Sequence, residues 1–194
     1  TKAAEFGLKF DGLSYDWSAV IGRSRKVSER LAGGIEYLFK KNKVDYVRGM
    51  GSIEGTGKVG VKAADGSTQV LETKDILIAT GCKSRGLPPL PFNGKSVIGS
   101  KEAMVLPQQP KEMLIIGAGA IGVEFAYIYN AFGTKVTLVE MLPRLLPVED
   151  DEVGDALEKS LIKQGIRCLT NTKITKMVDL GNRVELTVEG PKEN

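Results

Sequence analysis

Gly117, Gly119 and Gly122 stand at Gly-x-Gly-x-x-Gly spacing, directly after the apolar run Met113–Ile116. Residues of this type at this spacing hold phosphate rather than break bonds. Gly117 permits a tight strand-to-helix turn, and Gly119 lets a pyrophosphate approach backbone that a Cβ would screen. Gly122 lets the following helix pack closely on the strand. The free N–H groups and positive dipole end of that helix then hold the phosphate charge. Glu140 closes a second apolar run, Lys135–Val139, about 20 residues beyond Gly119. At that distance a carboxylate accepts hydrogen bonds from the adenosine ribose hydroxyls. A glycine triplet by itself marks only a turn. Strand before, helix after and acid at the next strand's end together predict a dinucleotide site.

The charge of Glu140 also bears on which nucleotide is held. A carboxylate there repels a 2′-phosphate, which favours NAD over NADP. Arg144, four residues later, is the one cation close enough in sequence to compensate, although its place between Pro143 and Pro147 also suits a surface loop.

The elements that must position these residues follow from periodicity. Val123, Ala126, Tyr127 and Asn130 share one face of the helix after the glycines. Upstream, Asp16 caps a predicted helix over 17–41, with Trp17, Val20, Ile21, Val27, Leu31, Ile35 and Leu38 at near-helical spacing. Arg23, Arg25, Lys26, Glu29 and Arg30 fall on its solvated face, and Gly33-Gly34 interrupts the pattern. Val44–Val47 reads as a strand, followed by the glycine-punctuated stretch 49–51. Lys58–Ala63 and Thr68–Thr73 flank Asp65-Gly66 as a hairpin, and Asp75–Ala79 reads as a buried strand ending near Gly81. Three prolines within 86–91 make that stretch a connector, and Ser100 is positioned to cap a short helix. Asp150 and Asp151 open a helix through Leu157 and Leu161 that Gly165 stops. Ile166–Leu169, Lys173–Val178 and Arg183–Val188 are strands, with Gly181-Asn182 a turn between the last two.

Composition narrows the function classes. With 42% hydrophobic and 26% charged residues in 194, the chain has the balance of a soluble globular protein of one or two domains. A net charge of +3 with scattered basic residues leaves no nucleic-acid footprint. No apolar run reaches the roughly 18 residues needed to span a membrane, and no signal-peptide pattern opens the sequence. Cys82 and Cys168 lie far apart without metal-like spacing, which fits a reducing, cytoplasmic compartment. There is no histidine, so the usual general base and the commonest metal ligand are missing.

Four motifs occur in order: Ile-Leu-Ile-Ala-Thr-Gly at 76–81, the proline-rich crossing, Ile-Ile-Gly-Ala-Gly-Ala-Ile-Gly-Val-Glu at 115–124, and Val-Thr-Leu-Val-Glu at 136–140. Together they resemble the pyridine nucleotide–disulfide oxidoreductase family. The continuation Met-Leu-Pro-Arg-Leu-Leu-Pro-Val-Glu-Asp-Asp-Glu-Val at 141–153 is most similar to its dihydrolipoamide dehydrogenase branch. The resemblance implies an α/β fold, with a Rossmann-like NAD-binding domain over 111–194 and part of an FAD-binding domain over 1–90. The latter carries a small antiparallel β insertion, and 91–110 forms the crossing. It implies FAD and NAD as cofactors and oxidation of protein-bound dihydrolipoamide through a redox-active cysteine pair. Lipoyl-bearing partners from a 2-oxo acid dehydrogenase complex or a glycine cleavage system follow, as does a homodimer whose partner subunit supplies a catalytic histidine.

Carried over by position, Gly51, Thr80, Gly81 and Cys82 match places where the family's backbone meets FAD. Cys82 departs from the serine expected there, so a hydroxyl hydrogen bond is in doubt. Gly117, Ala118, Gly119, Ala120, Ile121, Gly122, Val123 and Glu124 match the NAD pyrophosphate loop, with Glu124 near the nicotinamide. On its own, Glu124 equally suits a helix N-terminus electrostatically. Glu140 matches the ribose-binding acid and Ile174 an adenosine-side contact, although by itself Ile174 is an apolar strand residue.

The family's first FAD fingerprint, its cysteine pair and its histidine-bearing dimerisation domain are not found. The expectation is therefore a middle piece with no catalytic residue of its own, inactive in isolation. Two alternatives stay open: another flavoprotein disulfide reductase, and a stand-alone, non-catalytic NAD-binding module.

Overall fold

An apolar run is stable as a strand only where a neighbour takes up its backbone hydrogen bonds, and this condition sorts the expected elements. The computed structural model describes residues 12, 14–87, 91–181 and 183–191. The proline-rich stretch at 88–90, Asn182 of the expected turn, and Lys192–Asn194 lie outside the described residues. The chain divides into two units. One is Gly22–Lys83, and the other joins the residues up to Ile21 with those from Ser84 onward.

In the second of these, three strands form a parallel sheet: β4 (Glu112–Ile116), β5 (Lys135–Val139) and β6 (Arg167–Leu169), in spatial order β4-β5-β6. Helices α3 (Ala120–Ala131) and α4 (Asp151–Lys163) make the crossovers, as parallel pairing requires. Ala126, Tyr129, Val136, Leu138, Leu145, Leu161 and Ile166 close the core, none more than 2% exposed. A fully buried side chain of this kind contributes about 1.5–3 kcal/mol. The buried face of α3 carries Val123, Ala126 and Tyr129. Tyr127, expected on that face, is 54% exposed, because one residue's step around a helix turns a side chain by about 100°. Tyr129 instead packs its ring near Trp17 and donates its hydroxyl to the Ala103 carbonyl at 2.6 Å.

A short helix, α2 (Ser100–Ala103), sits in the connector between 91 and 111. Gly99 rather than Ser100 is its N-cap, and the Gly99 N–H donates to Glu102 Oε2 at 2.9 Å. Beyond the parallel sheet, β7 (Lys173–Asp179) and β8 (Val184–Glu189) form an antiparallel hairpin in the expected place.

Helix α1 (Trp17–Lys41) begins in this unit and continues into the other. Asp16 caps it as expected, its Oδ1 accepting from the Ser18 N–H at 2.8 Å, the Ser18 hydroxyl at 2.7 Å and the Ala19 N–H at 3.3 Å. Gly33-Gly34 does not break it. Its apolar stripe is a correction: no residue of α1 is buried, and Leu31, Ile35 and Leu38 are more than half exposed.

Within Gly22–Lys83, β1 (Met50–Gly55), β2 (Lys58–Lys62) and β3 (Thr68–Glu72) form an antiparallel meander. The β2–β3 hairpin turns at Asp65, whose Oδ1 accepts from the Ser67 N–H at 2.9 Å. Two expected strands are absent. Residues 44–47 are not a strand because the helix uses them to end: Lys43 adopts φ +57° and the Val44 N–H bonds the Phe39 carbonyl at 2.9 Å. Pairing with β2 begins only at Met50. Asp75–Ala79 is not a strand either, since none of the described strands pairs with it, and Leu77 is 91% exposed. Among the described residues no helix is long and apolar enough to cross a membrane.

Candidate nucleotide-binding site

The loop between β4 and α3 is shaped by two glycines. Gly117 turns the chain with φ +97°, and a Cβ on Gly122 would lie 2.0 Å from the Gly117 carbonyl oxygen. Both positions therefore require glycine, and the helix starts close against the strand end. Gly119 faces open space: nothing lies within 4 Å of where its Cβ would stand, so a ligand has room to reach the backbone. Gly119 is the N-cap of α3 and supplies no side-chain cap. The first amides of the helix are thus left to a ligand or solvent.

Glu140, 9% exposed at the end of β5, bonds this loop with one oxygen and the segment after β5 with the other. Its Oε2 accepts from the Ala118 N–H at 2.7 Å, and its Oε1 accepts from the Leu142 N–H at 2.9 Å. A carboxylate has about four lone-pair positions, so each oxygen retains capacity for one more donor. Two acceptors held side by side suit a vicinal diol, the chemistry of a ribose edge. The residues present therefore fit a nicotinamide dinucleotide: open backbone at Gly119, uncapped amides at the start of α3, and an anchored acid within reach of the turn.

The structure brings Gly117–Glu124 and Glu140 together on one side of the parallel sheet, at the carboxyl ends of β4 and β5. This is where open α/β sheets bind ligands. Ala118 is fully buried beneath the loop, Val123 faces the core, and Ile121 and Glu124 are exposed. Ile174 is half-buried in β7, which is anchored just before it by the Thr172 N–H bonding the Glu140 carbonyl at 2.9 Å. Gly51, Thr80, Gly81 and Cys82 lie in the other unit, and all four are exposed. Among the described residues no hydrogen bond links Gly51 with residues 80–82.

Residues 141–150 add contacts that sequence reasoning missed. The Leu146 N–H bonds the Ala118 carbonyl at 2.8 Å, with Leu146 at φ +49°, and Leu145 is fully buried. The loop is thereby tied to the glycine turn at Leu146 and to Glu140 at Leu142. Gly154 was the available signal. A glycine inside a helical pattern costs stability unless something packs against it, and a Cβ there would lie 2.6 Å from the Leu145 carbonyl oxygen. Arg144, in the same loop, is held by Asp151 (Nη1 to Oδ1, 2.7 Å) and Asp155 (Nε to Oδ1, 3.4 Å) of α4.

Cys168 is not a poised nucleophile next to this loop. Cys168 pairs with Leu138 in the β5–β6 ladder. Burial, aided by the Glu158 carboxylate, pushes its thiol up to about 11.

Comparison with known proteins agrees with this geometry. Residues 3–194 match the family model described as pyridine nucleotide-disulphide oxidoreductase. The chain belongs to that family. It is 41% identical over 189 residues to a dihydrolipoyl dehydrogenase of Chlorobaculum parvum, covering 96% of this chain and 40% of that protein. A leghemoglobin reductase of Vigna unguiculata is 36% identical over 186 residues, covering 96% of this chain and 36% of the relative. Among solved structures, LpdA from Mycobacterium tuberculosis superposes with a TM-score of 0.84 at 26% identity, over 98% of this chain and 42% of that one. The chain thus spans about 40% of the length of relatives that it matches almost from end to end. Membership accounts for the α/β architecture and the order of the motifs along the chain.

Proposed function

We propose that this chain is the nicotinamide-nucleotide-binding part of a dihydrolipoyl dehydrogenase, an oxidoreductase that uses FAD and NAD to oxidise protein-bound dihydrolipoamide. Residues 111–194 are the NAD-binding domain, 1–90 belong to the FAD-binding domain, and 91–110 join them. The observation that carries the reading is the anchored Glu140 carboxylate, fixed by two backbone amides beside an open glycine turn.

Geometry and family resemblance together support the following roles. Gly119 and the first amides of α3 bind the pyrophosphate of NAD, Glu140 orients the adenosine ribose, and Ile174 contacts the adenosine side. Glu124, one turn into the helix, faces the nicotinamide end. Bound NAD supplies the hydride-accepting chemistry, while the chain's own residues bind and orient it. Gly51 and the Thr80–Cys82 turn are assigned to FAD on family resemblance, and their exposure supports no step through a flavin in this chain alone. The substrate is delivered by lipoyl-bearing components of a 2-oxo acid dehydrogenase complex or a glycine cleavage system, and the whole enzyme works as a homodimer in the cytoplasm. The isolated chain binds NADH without turning over dihydrolipoamide.

Titration of the chain with NADH, followed by nucleotide fluorescence, tests the reading. The folded chain binds, and Glu140→Ala weakens binding at least about tenfold, since hydrogen bonds to a charged group contribute about 1.5–3 kcal/mol each. A folded chain that ignores NADH, or a Glu140→Ala variant that binds as well as the parent, overturns it.

A further inference from the structure

Arg144 presents an unresolved charge at the edge of the nucleotide site. It lies in the loop that starts at Glu140 and returns to Ala118, between Leu142 and Leu146, the two residues whose amides tie that loop to the site. A free guanidinium in such a place attracts a 2′-phosphate through bidentate hydrogen bonding. This guanidinium is not free, because Asp151 and Asp155 on successive turns of α4 engage its Nη1 and Nε at 2.7 and 3.4 Å. Two carboxylates against one guanidinium leave a local excess of negative charge. A depression of about 250 Å³ lies over this loop, lined by Arg144 and Asp151 together with Leu142, Leu146 and Glu149. The position next to Glu140 therefore presents an occupied arginine and net acid.

We infer that Asp151 and Asp155 are specificity-determining residues: by holding Arg144 they keep it from serving a 2′-phosphate, and so add to the discrimination against NADP that Glu140 exerts directly. The inference rests on the reading of the site as a nicotinamide nucleotide site and adds the reason this nearby cation does not blur selectivity. The device is an engaged cation, distinct from the repulsion by Glu140. Its strength is modest, because both pairs are solvent-accessible and exposed ion pairs are weak.

The test is equilibrium binding of NADH and NADPH to the full chain. Four proteins are compared: the parent, Asp151→Asn/Asp155→Asn, Arg144→Gln, and the triple variant, with circular dichroism reporting the fold. Releasing Arg144 raises NADPH affinity relative to NADH by about three- to tenfold. Adding Arg144→Gln to the double variant removes that gain, whereas Arg144→Gln in the parent background changes the ratio little. Should the double variant not fold, Asp155→Asn alone serves, because Asp155 lies beyond the first turn of α4 and leaves the helix start intact.

An unchanged ratio in the released variants overturns the inference while leaving the nucleotide site standing. A gain that survives in the triple variant also overturns it, showing that loss of acid charge rather than release of Arg144 was responsible. Failure of every folded variant to bind NADH overturns the reading of the site and this inference with it.

Discussion

The two units use the same kinds of residue to opposite effect. From Ser84 onward, strand, helix and strand fold back on one another, and Tyr129, Leu138, Leu145, Leu161 and Ile166 disappear from solvent. In Gly22–Lys83 apolar residues still make up more than a third of the sequence, yet Val61 is the one buried hydrophobic among its described residues. Leu31, Leu38, Ile53, Leu77 and Ile78 stay more than half exposed there. Apolar pattern alone therefore does not make a core. A parallel β-α-β run brings its own partners in sequence, whereas a long helix and a three-stranded meander need surfaces that lie further away. That apolar area is left exposed in a chain that spans about 40% of its relatives' length.

The sharpest way to break the contrast is truncation at matched leucines. Leu138→Ala, in the middle strand of the parallel sheet, destabilises its unit by about 2–5 kcal/mol, as a cavity in a closed core does. Leu38→Ala on α1 stays within about 0.5 kcal/mol. Urea unfolding followed by Tyr and Trp fluorescence measures both, and equal losses would show that α1 is covered after all.

Gly122→Ala tests the packed unit at its site. The added methyl meets the Gly117 carbonyl and must push the start of α3 away from β4, costing about 1–3 kcal/mol. NADH binding by the folded variant falls at least about tenfold, since the amides it displaces are the proposed phosphate ligands. Retained affinity would show that the turn has slack.

The cysteines report on one residue from each unit. Cys82 is exposed, while the half-buried Cys168 has its thiol pushed up to about 11 by burial and the nearby Glu158. Near pH 8, an aromatic disulfide reagent modifies Cys82 at least about tenfold faster than Cys168, because the thiolate is the attacking species. Peptide mapping assigns the two rates, which converge in denaturant. The sign for stability follows from the raised value. Cys168 favours the folded state fully below the unfolded thiol pKa of about 8.5, and that contribution fades as pH rises toward 11.

The smallest effect concerns the cap that starts α1. Hydrogen bonds from the Ser18 side chain first, then the Ala19 and Ser18 amides, hold the Asp16 carboxyl below its ordinary value. A depressed carboxyl contributes stability above its unfolded pKa of about 3.9 and loses it as pH falls through the folded value. Far-UV circular dichroism of the parent and Asp16→Ala, compared at pH 6 and pH 3, therefore shows a difference at the higher pH that shrinks at the lower. A difference that persists at pH 3 would mean the neutral side chain caps equally well.

The site was legible in the sequence because its parts are local. The glycine spacing, the strand before it and the acid about 20 residues on all belong to one contiguous β-α-β run. The helix α4, with its stop at Gly165, and the 58–73 hairpin were legible for the same reason. Capping groups, turn residues and short-range periodicity act within a few residues, and one chain segment states them completely. Val44–Val47 and Asp75–Ala79 misled because strand residues declare only that they can pair, while pairing depends on a neighbour. The stripe on α1 misled for the same reason, and a one-residue error in helix phase exchanged Tyr127 for Tyr129.

Two facts at the site required three dimensions. That Glu140 bonds the Ala118 and Leu142 amides at once is a product of β4 and β5 ending side by side. That Arg144 faces Asp151 and Asp155 depends on how α4 leans on the preceding loop, with Gly154 admitting the Leu145 carbonyl. Sequence by itself determined which groups are available and which local turns they favour. Tertiary structure decided which of those groups are already engaged, because hydrogen bonds and ion pairs form between neighbours in space, whatever their distance along the chain.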